Sequence, residues 1–286
     1  MLDLNIKANG SLTANAAVAA KEVPSFVSMV NSAIAAAPKA TDAANTVTVQ
    51  PGGKTFTTIT AALNSISDAS LQKQYVVQAG PGTYNEVVVC KPYVFITGAG
   101  VAQTTITAPA AADQASKGTV KAASNSAIQN VSIVSSGDAW GSWITAVDCV
   151  GAVNFDIENC DLEGDATGNG PNLVTLSVDY SPAGGGSQIN VSYTMVGAHG
   201  GAQPIGLLVY ARAYVHVMES KIVADGASTA WGGTASYESA IDLYGSTVAG
   251  TMSLVLSDSS SHITATDCKL IGPYSPDVVV KTSGNS

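Results

Sequence analysis

Residues 47–107 read VTVQPGGKTFTTITAALNSISDASLQKQYVVQAGPGTYNEVVVCKPYVFITGAGVAQTTIT. A short β-prone run, VTV, ends on a Pro-Gly-Gly turn. Phe56, Ile59, Leu63 and Ile66 then fall on one face at helical spacing, which predicts a short helix over 55–66. Apolar runs follow, and each closes on glycine. The stretch therefore reads as short strands separated by tight turns and led in by one helix. An open stack of strands exposes its edges and core at each end, so a helix before the first coil is well placed to cover one.

Working outward, one pattern recurs beyond Tyr75, and internal repeats decide a fold of this kind. It runs apolar, any residue, apolar, four spacers, apolar, then glycine shortly after. Phe155, Ile157, Leu162 and Gly164 form one copy. Val215, Val217 and Ile222 form another, with Gly226 slightly late. Ile241, Leu243, Val248 and Gly250 repeat it, as do Ile263, Ala265, Leu270 and Gly272. Ile189, Val191, Val196 and Gly197 are a compressed copy. The closing glycines, from Gly137 to Gly272, are spaced 22 to 33 residues apart. Short strands at roughly 8–12-residue spacing also occur in antiparallel sandwiches. Recurrence of a whole coil favours a solenoid, each rung burying alternate residues and repeating the pattern one coil up. Variable insertions belong to turns, and the longest candidates are 165–172, 181–187 and 227–236. The expected class is all-β: a right-handed parallel β-helix with N-terminal capping helices.

The residues Val76, Val77, Ala79, Gly80, Gly82, Thr83, Tyr84 and Glu86, behind a helix carrying Phe56, Thr58, Ile59, Ala62 and Leu63, resemble the opening of pectinesterases. KPYVFITGAGVAQTTIT resembles the next rung of that family, and the resemblance extends over about residues 47–272. It implies a β-helix whose activity rests on two aspartates, one nucleophilic and one acid/base, with oxyanion-stabilising glutamines and an orienting arginine. One carboxylate must attack while its neighbour stays protonated. The family carries these groups in motifs such as QAVAL, YQDTLY and DFIFGNA. Here Ala146 and Val147 match the first motif, but its glutamine position reads Ile144 or Thr145. The second aspartate position reads Asn172 or Leu173, and the third reads Leu207. Arg212, the only arginine, falls near the asparagine of the third motif. Pectate lyases share the solenoid but use an acidic calcium cluster with a basic residue, and no such cluster accompanies Arg212.

Composition narrows the partners. The 286 residues carry a net charge of −9 with no basic stripe, which argues against nucleic acid and anionic membranes and would repel polygalacturonate. No run reaches the ~18 apolar residues of a membrane span. The start lacks a basic stretch followed by an apolar one, implying either an intracellular chain or a mature terminus. Cys90, Cys149, Cys160 and Cys268 fit no zinc spacing and read as small apolar core residues, with Cys149–Cys160 the disulfide to test. Nothing implies a metal or other cofactor. Residues 1–45 read as an arm followed by an amphipathic helix over 24–37, with Phe26, Val27, Val30 and Ile34 on one face. Residues 46–286 read as one β-helix domain: 47–74 cap strand and helix, 75–272 coils, 273–286 C-terminal strand and tail.

The runs ITAVDCV, LVTLSVDY, GLLVYARA and SAIDLYG are expected to stack in one sheet. Alternation turns Val174, Leu176 and Val178 inward and sends Thr175, Ser177 and Asp179 outward. The outward row is then Asp148, Asp179, Tyr210 with Arg212, and Asp242 with Tyr244. It serves either as a charge-alternating ladder or as a polar groove with aromatic platforms. Trp140, Trp143 and Trp231 stand beside glycines in turn-like surroundings, where they either tuck over the coil surface or, for two of the three, wall such a groove. Aromatic rings meet the apolar face of a sugar, while carboxylates bond its hydroxyls. His199 reads as a solvated turn histidine, and His216 and His262 as surface residues. The leading reading is a non-catalytic protein binding neutral oligo- or polysaccharide on this face. The alternatives are a carbohydrate-active hydrolase or lyase with a rearranged acidic site at Asp148, Asp179 and Asp242, and a structural or host-interaction solenoid.

Overall fold

The computed structural model describes residues 3–6, 12–15, 45–168, 170, 172–180 and 186–282. The chain divides into two units, Met1–Asp42 and Ala43–Ser286. In the first, strands Asp3–Ile6 and Leu12–Asn15 pair antiparallel. The helix expected over 24–37 lies outside the described residues.

The second unit is a right-handed parallel β-helix. Its described strands form three sheets of ten, eight and eight strands, and successive coils pair in parallel. The first sheet includes Val153–Glu158, Gln188–Ser192, Tyr214–Met218, Ala240–Tyr244 and His262–Thr266. The second includes Asp161–Ala166, Met195–Gly200 and Lys221–Asp225. The third includes Val147–Val150, Asn172–Asp179, Ile205–Tyr210 and Trp231–Ser236. Among the described residues no helix is long and apolar enough to cross a membrane.

The sequence repeat is the interior. Phe155, Ile189, Val215, Ile241 and Ile263 stand in one register column, and Ile157, Val191, Val217, Leu243 and Ala265 in the next. Leu162, Val196, Ile222, Val248 and Leu270 form the column of the second sheet. All but Leu270 are buried. The corner between these two sheets is built alike in successive coils. Asn130, Asn159, Tyr193, Glu219, Gly245 and Asp267 all take left-handed φ values there, between 47° and 59°. Asparagine tolerates that conformation best after glycine, and Asn159 Nδ2 donates to Asn130 Oδ1 at 2.8 Å. One residue further on, a second ladder runs inside. Cys160 N donates to Thr194 Oγ1, Thr194 N to Ser220 Oγ and Ser220 N to Ser246 Oγ.

The helix is shorter than expected, Ile59–Ser65, because Thr58 stays extended and its side chain accepts from Ala61 N. Glu86 completes that end: its carboxylate accepts from Ile59 N at 2.7 Å and Thr60 N at 2.9 Å. The first N–H groups of a helix lack internal partners and attract negative charge. Tyr84 Oη reaches Val49 O and Gly80 O. These residues of the GTYNE run, which carry the family resemblance, thus fasten the cap and first coil. All four cysteines are free, so no Cys149–Cys160 bridge forms. Burial pushes the thiols of Cys90 and Cys160 up to about 12.

Two of the expected turns are partly strand. The 165–172 segment begins and ends in strands, and in 227–236 the run WGGTAS is a strand of the third sheet. Its glycines answer to packing: a Cβ on Gly232 would lie 2.5 Å from Val248 Cγ1 and 2.6 Å from Ser253 O. Of the third long segment, residues 181–185 lie outside the described residues. Alternation along Asn172–Asp179 also slips. Leu176 and Val178 face the main core, but Thr175 turns inward over Gly164 and donates to Gly197 O at 2.7 Å.

Candidate functional site

Two concave surfaces lie along the third sheet. Strand Trp143–Ile144 pairs with the start of Asn172–Asp179, setting Trp143 beside Asn172. Val174 pairs with Ile205, and Ile205 with Trp231. With Trp140, Gln203 and Leu208, Trp143, Asn172, Val174 and Ile205 line a groove of about 540 Å³. Trp140 stands 87% exposed on the corner that leads in from the second sheet. Trp231 lies in the row beside Ile205, on a strand rather than in the expected turn.

Next to the groove lies a cavity of about 350 Å³ lined by Gln114, Lys117, Lys121, Asp148, Val150 and Asp179. Lys117 Nζ faces Asp148 Oδ1 at 3.4 Å, and the two side chains are only 4% and 9% exposed. The chain reaches Asp148 this closely through Gly118, φ 101°, where a Cβ would lie 2.7 Å from Asp148 Cβ. Burial raises the Asp148 pKa, against the pull of Lys117 and Lys121. Lys117 Nζ also stands 5.4 Å from the centre of the Trp143 ring, so groove and cavity share a wall.

Arg212 is not on a strand. It follows Ala211 in a turn, both at left-handed φ, stacked on Tyr237 and Glu238 in the same conformation one coil on. Arg212 Nε donates to Glu238 Oε2 at 2.7 Å, with both side chains exposed. Arg212, Tyr180, Tyr237, Glu238 and Ser260 surround a separate hollow of about 390 Å³. Tyr210 packs its ring 4.8 Å from that of Tyr237 at its edge.

The expected outward row is therefore divided. Trp140 and Trp143 share the groove, Asp148 and Asp179 share the cavity, and Tyr210 and Arg212 flank a third depression. Asp242 and Tyr244 belong to the first sheet, on another side of the coil. There Asp242 accepts from Tyr214 Oη at 2.8 Å and pairs in register with His216. His216 is half-buried, and burial lowers its pKa against the charge of Asp242.

His199 is also not a solvated turn residue. On the second sheet its Nε2 lies 3.0 Å from Glu163 Oε2 and its Nδ1 lies 2.8 Å from Asp225 Oδ1. Burial works against a charge on His199, but the hydrogen bond and charge of Asp225, with Glu163 and Asp165, outweigh it and raise its pKa. The Glu163 pKa is raised to about 7, first by burial and then by Asp161, against the pull of His199. Among the described residues no group of three or more His, Cys, Asp or Glu side chains is arranged to hold a metal ion.

The fold is a parallel β-helix of the pectinesterase-like kind. No family model matches the chain, and no curated protein matches it in sequence. Solved structures do. A pectin methylesterase in complex with a hexasaccharide aligns at TM-score 0.60 and 13% identity, over 84% of this chain and 90% of its own. The pectin methylesterase from carrot aligns at 0.58 and 15%, covering 87% and 91%. PemA from Erwinia chrysanthemi aligns at 0.56 and 12%, covering 84% and 90%. At such identities the likeness is one of fold.

Proposed function

We propose that this protein is a non-catalytic β-helix that binds neutral carbohydrate on the outer face of its third sheet. The groove carries the reading. An exposed Trp140 and a half-buried Trp143, with Asn172 and Gln203 between apolar floor residues, combine stacking surface with hydrogen-bonding side chains. Tryptophan offers a large apolar face at little entropic cost, which suits the C–H face of a pyranose. The scaffold is one on which a pectin methylesterase was solved with a hexasaccharide. The positions at which the resemblance expects catalytic side chains support a loss of chemistry: they read Ile144 or Thr145, Asn172 or Leu173, and Leu207, and none is an aspartate or a glutamine. A glycan array with neutral and uronate oligosaccharides, followed by tryptophan-fluorescence titration, tests the reading. Binding to a neutral glycan, weakened about tenfold by Trp140→Ala at unchanged thermal stability, is expected. Absence of binding to every neutral glycan defeats it.

A second reading draws on one observation. Asp148 and Asp179 line the same cavity, and burial biases Asp148 toward its protonated form. A carbohydrate-active hydrolase or lyase working there would show turnover of a polysaccharide or its ester that Asp179→Asn abolishes.

A further inference from the structure

We infer that the cavity over Lys117 and Asp148 is a hydroxyl-recognition subsite, holding a vicinal diol of a neutral sugar whose next ring lies in the tryptophan groove. This rests on the carbohydrate reading and adds the residues and the ligand chemistry that would set its specificity.

The pair is buried yet loosely made. Charge-assisted N–H to carboxylate bonds close to about 2.7–2.9 Å, whereas Lys117 Nζ and Asp148 Oδ1 stand 3.4 Å apart. Asp148 Oδ1 has no protein hydrogen-bond partner among the described residues. Taking two charges out of water is costly unless good geometry and further hydrogen bonds offset it. The structure therefore presents a buried cation and a buried anion that are imperfectly paired and line a cavity large enough for part of a sugar. Asp148 Oδ1 itself is closed off, and a ligand meets the small part of the side chain left open.

Ligand chemistry follows from that capacity. A hydroxyl both donates and accepts, so one sugar O–H can donate to Asp148 while its oxygen accepts from Lys117. The neighbouring hydroxyl of a diol has Lys121 and Asp179 for partners, which line the same cavity. A carboxylate offers only acceptors, would leave Asp148 unpaired, and meets two aspartates. An ammonium offers only donors and meets two lysines. The four groups carry no net charge, so the cavity selects by hydrogen-bond pattern instead of by field.

Continuity with the groove is direct. Lys117 lines the cavity and stands 5.4 Å from the Trp143 ring centre, and Trp143 lines the groove. A glycan stacked on the tryptophans thus meets the ion pair with its next ring. Burial raises the Asp148 pKa, and an O–H donated to the carboxylate favours its ionised form. Affinity is therefore expected to fall as pH drops through that raised value.

The test is titration calorimetry of the whole protein with free cello-, xylo-, manno- and galacto-oligosaccharides, and with oligogalacturonate as the anionic probe. At least one neutral oligosaccharide is expected to bind, and oligogalacturonate at least tenfold more weakly. The double variant Lys117→Met/Asp148→Leu removes the pair without stranding a charge. It should weaken neutral binding at least tenfold while keeping the thermal unfolding midpoint. Should that variant fail to fold, Asp148→Asn gives a second reading: the decline of affinity at low pH disappears. Wild-type affinity in a folded double variant, or an identical pH profile in Asp148→Asn, overturns the subsite and leaves the groove reading standing. Failure of every neutral sugar to bind the wild type, or tighter binding of oligogalacturonate, overturns the inference, and only the former also removes the proposed function.

Discussion

The coil turns its corners on two different terms. Between the first and second sheets the chain spends one left-handed residue per turn, from Asn130 through Asn159, Tyr193, Glu219 and Gly245, and the next residues stack inside. Between the second and third sheets the connections differ from coil to coil. The one after Thr104–Pro109 is the long one and carries Gln114 and Lys117. Those after Ser132–Gly137 and Met195–Gly200 are shorter and carry Trp140 and Gln203. The first, from Gly82–Asn85 to Val88–Val89, and the last, from Thr247–Ala249 to Met252–Leu256, take only a couple of residues. Register propagates through the uniform corner because any change there shifts every inward side chain above it. The variable corner lies outside that constraint, and it walls the groove and the cavity. In this fold the corner free to vary is the one able to acquire a site.

The sharpest way to break this comparison is to cut into the repeat. Among the described residues Phe155 is the largest fully buried side chain, and it stands in the first column of the interior. Phe155→Ala leaves a cavity on the coil axis, and large-to-small changes of this kind cost about 3–5 kcal/mol. Urea denaturation should register that loss, whereas Trp140→Ala on the variable corner should leave stability within about 0.5 kcal/mol. Comparable costs at the two sites would mean that the corner loops belong to the core.

A smaller effect lies on the outer face of the second sheet. Glu163 comes from Asp161–Ala166 with Asp161 and Asp165 beside it, His199 from Met195–Gly200, and Asp225 with Lys221 from the strand beyond. The folded pKa values of Glu163 and His199 both lie above their ordinary values of 4.5 and 6.5. Their stabilisation is therefore complete below those ordinary values. It is lost as pH rises, for Glu163 through about 7 and for His199 through its own raised value. Thermal stability should fall by about 2 kcal/mol between mildly acidic and mildly alkaline pH. Glu163→Gln should remove most of that slope, and an unchanged slope in the variant would assign it elsewhere.

How much of this was legible follows the same division. The first and second sheets could be read because their inward residues recur as a pattern: Ile157, Val191, Val217 and Leu243 needed only alignment. The same alignment places Asp242 with Asp156, Asn190 and His216, and so contradicts its assignment to the third sheet. It also carried a signal for the histidine cluster, since Asp165, His199 and Asp225 each follow the third apolar position by three residues. The third sheet was harder. Its strands hold glycines where side chains of the second sheet press close, Gly206 under Ile222 and Gly232 under Val248, and the pair Gly232–Gly233 made WGGTAS read as a turn. The phase slip at Thr175 breaks the alternation that assigns faces. Lys117 lies in QASKGTV, a polar loop by composition, and only the backbone fold of Gly118 sets it against Asp148. Loop-borne site residues have no period to betray them.

The smallest effect tests the uniform corner itself. Asn159 takes φ 49°, a conformation that costs most residues about 1 kcal/mol and asparagine less. Its side chain donates to Asn130 Oδ1 at 2.8 Å, tying one coil to the one before. Asn159→Ala loses both the conformational tolerance and an exposed hydrogen bond, for an expected loss of about 1 kcal/mol. Asn159→Gly removes the same hydrogen bond but adopts the left-handed turn freely, so it should recover part of the loss despite its more flexible unfolded chain. Chemical denaturation of the pair separates the two contributions. If alanine and glycine prove equally destabilising, the side-chain ladder holds the corner. If glycine matches the wild type, backbone conformation alone does so, and the uniformity of the corner reflects φ and nothing that the side chains add.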